Sequence, residues 1–478
     1  MRLNKDGEPK LFNQFGLFSF ILITAFSYLS ASDFENFKRV QNAAFTEYKD
    51  KKDTKFEAYL KNQWSEYQAY KSPPLYKKMK PKVILPAKKS KLVIAGPTIH
   101  IKVKEKSQES LMPPKKVNVT KGLVVDYFTT SLRFSIDDSI KKAKFYPTNK
   151  DGILNSFSVF AASDYIEVLQ EIENSCDALE LNDWGLYLLV QKIADKSFSD
   201  PDDKKLFSWF LLNKLGYDTK IGIQDTHIVL LSLTKQIVYA TPRYTIGSKK
   251  YYRLSANTRA TKIYTYSKTY PNAVKALDFS LKKLPKLAKD MQTKTKTFLI
   301  ADKNFTLSYR YNKNLINFMN SYPQVSYEVY FNTPLEDETY KDLALGMKPY
   351  LDAKKMNYGL NFVLRFVQTA FKYERDNEQF GKEKVMFAEE TLFYDKSDCE
   401  DRAALYASLT KRLFGISVVG VKYSDHIATA LYIPIEGDNV KVKARRYVIA
   451  DPTYINANVG QSMPRYRGVI PEKFIYLR

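Results

Sequence analysis

The stretch Ser397-Asp398-Cys399-Glu400-Asp401-Arg402, with Asp425-His426-Ile427-Ala428-Thr429-Ala430 and Ala450-Asp451-Pro452-Thr453-Tyr454 after it, decides how this chain is read. Ser397 and Glu400 have the spacing of a capping box, which predicts a helix start. Ala403, Leu405, Tyr406, Leu409 and Leu413 then recur at helical spacing, and Gly415 supplies a stop. Cys399 falls in the first turn, where free N–H groups and the helix dipole favour a thiolate. Ile416 to Tyr423 and His426 to Ile433 read as strands, with His426, Ala428, Ala430 and Tyr432 on one face. Tyr447 to Asp451 reads as a third strand, ended by Pro452. A nucleophile on a helix start, a base on one strand and an orienting carboxylate on the next is the layout that nucleophilic catalysis needs.

These motifs resemble those of the transglutaminase-like cysteine peptidase superfamily. The bacterial branch that comes nearest carries Asp-Cys-Glu-Asp-Arg, His-Ile-Ala-Thr-Ala and Asp-Pro-Thr-Tyr, followed by Gly and Met-Pro. Here those are Asp398 to Arg402, His426 to Ala430, Asp451 to Tyr454, Gly460 and Met463-Pro464. Phe366 to Thr369 and Glu378 to Gly381 also fit, so the resemblance covers the last third of the chain. It implies a papain-like α+β core, with Cys399 as nucleophile, His426 as general base and Asp451 orienting the imidazole. The aromatic residue usual after the histidine is absent, which leaves the substrate type open.

Asp398, Glu400 and Asp401 crowd Cys399 with negative charge, which should raise its thiol pKa. Arg402 is one candidate to offset them. A bound calcium ion is another, because hard cations take carboxylate oxygens. The Asp-Cys-Glu-Asp string resembles that of calcium-dependent periplasmic members, which implies Asp398 and Glu400 as calcium ligands. A capping role for Glu400 is the competing reading. No other cofactor is expected.

Taken singly, each triad residue has a plainer explanation: a buried cysteine, a core histidine, a turn aspartate. Their joint order on a helix-strand-strand frame favours the triad. With 478 residues the chain is long enough for two or three domains. Two cysteines exclude a disulfide framework, and three histidines leave no cluster with zinc-ligand spacing. The net charge of +23 is spread along the chain without a nucleic-acid motif. It fits a basic solvated surface, or attraction to anionic envelope polymers and acidic proteins.

Residues 1–32 have the form of a signal peptide, or failing cleavage an anchor, with Leu17 to Leu29 as the apolar run. Export to the periplasm or another extracytoplasmic compartment is expected, with membrane attachment only through that segment. Residues 33–71 read as a helical segment with an aromatic stripe, and 72–97 as a Pro/Lys-rich linker. Residues 98–262 and 336–478 read as two copies of one lobe, joined by 263–335, a Lys-rich helix followed by strands. The second lobe is the catalytic one. The spacings around Gly216 repeat those around Gly415, so Asp200 stands in the place of Cys399 and His227 in the place of His426. Thr241 stands in the place of Asp451, and the first lobe is expected to be inactive.

The sequence therefore predicts an α+β protein with an N-terminal helix and a duplicated papain-like core. Its expected activity is an exported cysteine peptidase or amide hydrolase, acting on protein or peptide in the cell envelope through a thioester. The alternative is a non-catalytic envelope scaffold on the same fold.

Overall fold

The computed structural model describes residues 51–76, 78–89, 94–101, 122–254 and 261–478. Residues 1–32, and the stretch 33–50 of the expected helical segment, lie outside them. Two compact units are present, residues 1–59 and 60–478. Residues 51–60 are helical; everything that follows lies in the second unit. The fold is α+β, and among the described residues no helix is long and apolar enough to cross a membrane.

Two antiparallel sheets organise the unit. The first consists of β1 (Trp64–Tyr67), β2 (Ala69–Lys71), β3 (Thr219–Gln224), β4 (His227–Leu233), β5 (Pro242–Ile246), β6 (Lys249–Tyr252) and β7 (Ile263–Tyr266), in spatial order β1-β7-β3-β4-β6-β5-β2. The second consists of β8 (Val418–Lys422), β9 (Ile427–Leu431), β10 (Asn439–Val442), β11 (Arg445–Ala450) and β12 (Lys473–Tyr476), in spatial order β10-β11-β9-β8-β12. Ahead of the first sheet run helices α1 (Asp183–Ser197) and α2 (Pro201–Lys214), packed on each other; ahead of the second run α3 (Met356–Thr369) and α4 (Cys399–Phe414), likewise packed together. Helix α2 lies on β3 and β4, and α4 lies on β8 and β9. Two further hairpins, Leu123–Tyr127 with Thr130–Phe134 and Met291–Ile300 with Lys303–Asn312, flank the helices.

The pleat explains the second sheet. Val419, Val421, Ala428 and Ala430 alternate onto one face, where they join Tyr447, Ile449, Met463 and Tyr466 in a buried cluster. Ile427 and Leu431 are buried on the opposite face. Helix α4 ends at Gly415 in the left-handed region (φ 68°), where a residue without a Cβ is not strained. Lys411 and Arg412 in its last turn complement the dipole.

Several segments differ from the sequence expectation. Trp64–Tyr67 and Ala69–Lys71 are strands, not helix. The aromatic stripe is consumed by sheet pairing: Trp64 faces Tyr266 in register, its ring 5.2 Å from that of Tyr266. The Lys-rich run expected as a helix is instead β7, an irregular stretch and the strand Met291–Ile300. Conversely, Tyr327–Asn332 is helical where alternation suggested a strand. The expected linker is not wholly solvated either. Ser72, Leu75, Tyr76 and Lys80 are buried, and this stretch lies over the residues described next.

Candidate functional site

Helix α4 begins one residue later than the capping-box spacing suggests. Asp398 is the N-cap, Asp401 accepts a hydrogen bond from the Asp398 N–H (3.2 Å), and Cys399 is the first helical residue. Ser397 belongs instead to a two-residue strand, and its Oγ accepts from Arg402 Nε at 3.1 Å. The cap moved because Glu400, the expected partner of Ser397, is engaged elsewhere, as shown below.

His426 sits immediately before β9 and Asp451 immediately after β11, which pairs with β9. That pairing brings the imidazole and the carboxylate together at the same end of the sheet. His426 Nε2 lies 2.9 Å from Asp451 Oδ2, and both residues are buried. Asp451 Oδ1 accepts from the N–H groups of Thr453 (2.9 Å) and Tyr454 (3.3 Å), so the carboxylate cannot rotate away. With an acceptor at Nε2, the neutral ring carries its proton there and leaves a lone pair on Nδ1. Nδ1 has no hydrogen-bond partner among the described residues. The ring is held flat against Tyr466, 4.8 Å between centroids and 13° between planes.

Helix α3 secures the loop that carries Asp451. Asn361, Arg365 and Gln368 share one face of the helix by their spacing. Gln368 Nε2 donates to the carbonyls of Asp451 (3.0 Å) and Tyr454 (2.8 Å). Arg365 reaches Asn456 O (2.6 Å) and Asn458 Oδ1 (2.7 Å), and Asn361 Oδ1 accepts from Val459 N (2.8 Å). Beyond it, Gly460 (φ 93°) backs onto Gly437 so closely that a Cβ on Gly437 would stand 2.5 Å from the Gly460 Cα. The bare backbones allow that approach.

Cys399 is fully buried. Its Sγ donates to Glu400 Oε2 at 3.1 Å and lies 3.6 Å from the Tyr76 hydroxyl, rather than bonding His426. Cys399 and His426 make no hydrogen bond to each other; they are related through the packing of helix α4 on β9, the strand that His426 precedes. Burial pushes the Cys399 thiol well above its ordinary pKa, and Glu400 and Asp398 push it further. The helix dipole does not overcome them.

Arg402 makes no ion pair with these carboxylates, and its charge acts on Asp398 and Asp401 only from a distance. Its guanidinium hydrogen-bonds Ser397 Oγ and the carbonyls of Gln368 (3.4 Å) and Phe371 (2.6 Å). The counter-charge is Lys80, from the stretch expected as a linker. Its Nζ contacts Asp398 Oδ2 (2.5 Å), Glu400 Oε1 (2.7 Å), Glu383 Oε1 (2.6 Å) and Asp376 Oδ2 (2.9 Å), and its side chain is 4% exposed. One ammonium cannot balance this many carboxylates. Burial and the charge of Glu400 raise Glu383 to about 7, and burial likewise raises Asp376 to about 6. Asp398 and Asp401 are also pushed up, by burial first. Glu400 alone falls, to about 2; burial opposes the fall, and Lys80 with its hydrogen bonds outweighs it.

The donor set suits a hard cation: oxygens of Asp376, Glu383 and Glu400 lie within 4.8 Å of one another. Asp398 and Glu400, the expected calcium ligands, both bind the Lys80 ammonium, so a calcium ion at that point requires Lys80 to leave. Sequence reasoning missed Lys80, Tyr76, Asp376, Glu383 and Tyr466. Asp376, Glu383 and Tyr466 lie near quoted motifs; Tyr76 and Lys80 are brought in from a distance by the fold.

In the first sheet, Asp200 is the N-cap of α2 and accepts from Asp202 N (2.8 Å) and Asp203 N (3.3 Å). His227 opens β4 with its side chain 75% exposed, and its Nδ1 lies 3.0 Å from Asp202 Oδ2. Thr241 is not in the place of Asp451. It lies between β4 and β5, whereas Asp451 follows the strand paired with β9; in the first sheet the strand paired with β4 on that side is β6, followed by Arg253. Comparison with family models, with curated proteins and with solved structures finds no match to this chain.

Proposed function

We propose that this chain is an exported cysteine peptidase or amide hydrolase with Cys399, His426 and Asp451 as its triad. The carrying observation is the buried imidazole tied to Asp451 through Nε2 and left with an unpartnered Nδ1, at the start of a strand on which a helix beginning with a cysteine is packed. In the reaction Nδ1 takes the thiol proton while Sγ attacks the amide carbonyl carbon. The backbone N–H groups at the start of α4 stabilise the oxyanion. The imidazolium gives its proton to the leaving amine as the C–N bond breaks, which leaves a thioester. Water, deprotonated by His426, then releases the acid and regenerates the thiol. The substrate is a protein or peptide of the cell envelope.

The resemblance to the transglutaminase-like superfamily supports the same reading, as do the two sheets. Each half runs helix, strand, strand, hairpin, strand, with spatial orders β7-β3-β4-β6-β5 and β12-β8-β9-β11-β10. Equal connectivity and equal order support a duplication of a papain-like core, with β1 and β2 added at the edges of the first sheet. The first copy has no thiol at its helix start, where Asp200 and Pro201 stand.

The scaffold alternative is favoured by one observation, a sealed thiol that bonds Glu400 rather than His426. Incubation of the protein in a form whose Cys399 is accessible to a small electrophile, and of its Cys399→Ser and His426→Ala variants in the same form, with a complex peptide mixture separates the two readings by new termini in mass spectrometry. Cleavage lost in both variants is expected. Identical peptide profiles from all three proteins, with Cys399 shown to be accessible to a small electrophile, would leave the scaffold.

A further inference from the structure

The thiol site is closed by the chain's own residues 72–89. This stretch leaves β2 and is pinned to each part of the site in turn. Lys78 N donates to Ser424 O (3.3 Å), two residues before His426. Tyr373 Oη donates to Pro81 O at 2.7 Å. Ala87 N donates to Ile455 O (2.8 Å) and Ala87 O accepts from Asn456 Nδ2 (3.3 Å), in the loop that follows Asp451. Between these pins two side chains point inward. Tyr76 donates to Glu400 Oε2 at 2.6 Å, on the same oxygen that receives the Cys399 thiol. Lys80 carries the four carboxylate contacts described above. Outward, Met79, Val83 and Leu85 are largely exposed, so the stretch is one layer thick, with Leu75 and Ile84 turned inward.

The plug itself is polar. Leu75 is buried and Ile84 packs on the buried cluster of the second sheet, but at the thiol the stretch is held by one ammonium and one phenol, with a few backbone hydrogen bonds beside them. The ammonium is also short of charge for its pocket: Asp376 Oδ1 and Asp398 Oδ1 are buried with no partner among the described residues. A pocket with unfilled acceptors binds a better-matched cation or proton set more tightly than a single lysine, which leaves the plug replaceable.

Resting on the proposed thiol chemistry, we infer that residues 72–89 are an autoinhibitory strap: Tyr76 and Lys80 plug the Cys399 site, and the protein is latent until the strap is cut or displaced. Closed, the strap excludes substrate, ties the thiol to Glu400 and leaves His426 Nδ1 idle. Open, it exposes Cys399 and frees the carboxylate pocket.

The test uses the full chain with a specific-protease sequence inserted between the exposed Lys82 and Val83, before and after cutting, beside the uncut double variant Tyr76→Ala/Lys80→Gln. Labelling of Cys399 by a small electrophile is read by peptide mass spectrometry, and hydrogen exchange over residues 72–82 reports strap release. At about pH 9 any accessible thiol labels, so that arm reads the strap; at about pH 6 only an activated thiolate labels, so that arm reads the catalytic proposal. Slow labelling of the uncut chain at the higher pH, accelerated about tenfold or more by release through either route, is the expected result. Fast labelling of the uncut chain overturns the strap, as does unchanged labelling once exchange shows release, or unchanged labelling in the double variant. Fast labelling of the opened chain at the higher pH, with none at the lower pH and no effect of His426→Ala, keeps the strap and removes the catalytic proposal.

Discussion

Two histidines stand before corresponding strands of the two sheets, each paired with an aspartate, and their surroundings are opposite. His227 is largely exposed and its partner Asp202 comes from the first turn of α2. His426 is buried and its partner Asp451 comes from the far end of the neighbouring strand. Asp202, on the helix, engages His227 through Nδ1. Asp451, beyond the strand, engages His426 through Nε2 and leaves Nδ1 without a partner among the described residues. The same helix-and-hairpin frame therefore supports a surface ion pair in one half and a potential base in the other.

The comparison breaks most visibly at the chemistry. In the strap-opened chain, Cys399→Ser and His426→Ala should each abolish hydrolysis, while His227→Ala and Asp202→Asn should leave it at the wild-type rate. Comparable losses from the first-sheet pair would mean that the sites have been assigned to the wrong half. Asp451→Asn comes next: with the ring no longer locked in its tautomer, kcat should fall by about a hundredfold to ten-thousandfold with little change in KM. Rescue of that variant by nothing short of a carboxylate would sharpen the orienting role.

Stability offers a smaller contrast. Lys80→Met leaves several buried carboxylates without a cation and should cost about 3–5 kcal/mol in denaturant unfolding. Lys205→Met removes one partner of a partly exposed i,i+3 pair with Asp202 and should cost less than about 1 kcal/mol. Equal costs would show that the pocket around Lys80 is wetter than its burial implies.

The smallest effect expected is with pH. Asp376 and Glu383 have folded pKa values raised to about 6 and about 7. A carboxyl group raised on folding binds its proton more tightly in the native state, so its stabilisation is present below its ordinary pKa and is lost as pH rises through the folded value. Stability should therefore decline between about pH 4 and 7. Glu400, lowered to about 2, acts in the opposite sense: its stabilisation is present above its ordinary pKa and is lost as pH falls from there towards about 2. Replacing Asp376 and Glu383 by Asn and Gln should flatten the decline; a decline that persists unchanged would assign it to other groups.

The helices and strands around the site were legible because their signals are local. The apolar stripe of α4, the stop at Gly415 and the alternation of β8 and β9 all lie within one element. The start of α4 was misplaced by one residue because a capping box can be closed by Asp401 as well as by Glu400, and only the distant Lys80 decides which carboxylate is free. The strands at Trp64–Tyr67 and Ala69–Lys71 were read as helix because aromatic spacing serves either element, and their partners lie nearly 200 residues away.

By itself the sequence determined the composition of the candidate triad, the α+β class, and the order of helix and strands that carries Cys399, His426 and Asp451, since periodicity and turn residues act over a few positions. Tertiary structure alone decided that a proline- and lysine-rich stretch would lie over Cys399 and its carboxylates, that Lys80 rather than Arg402 would pair with them directly, and that Tyr466 would stack on His426. Those choices depend on which distant side chains burial brings within hydrogen-bonding distance, and no local pattern encodes that.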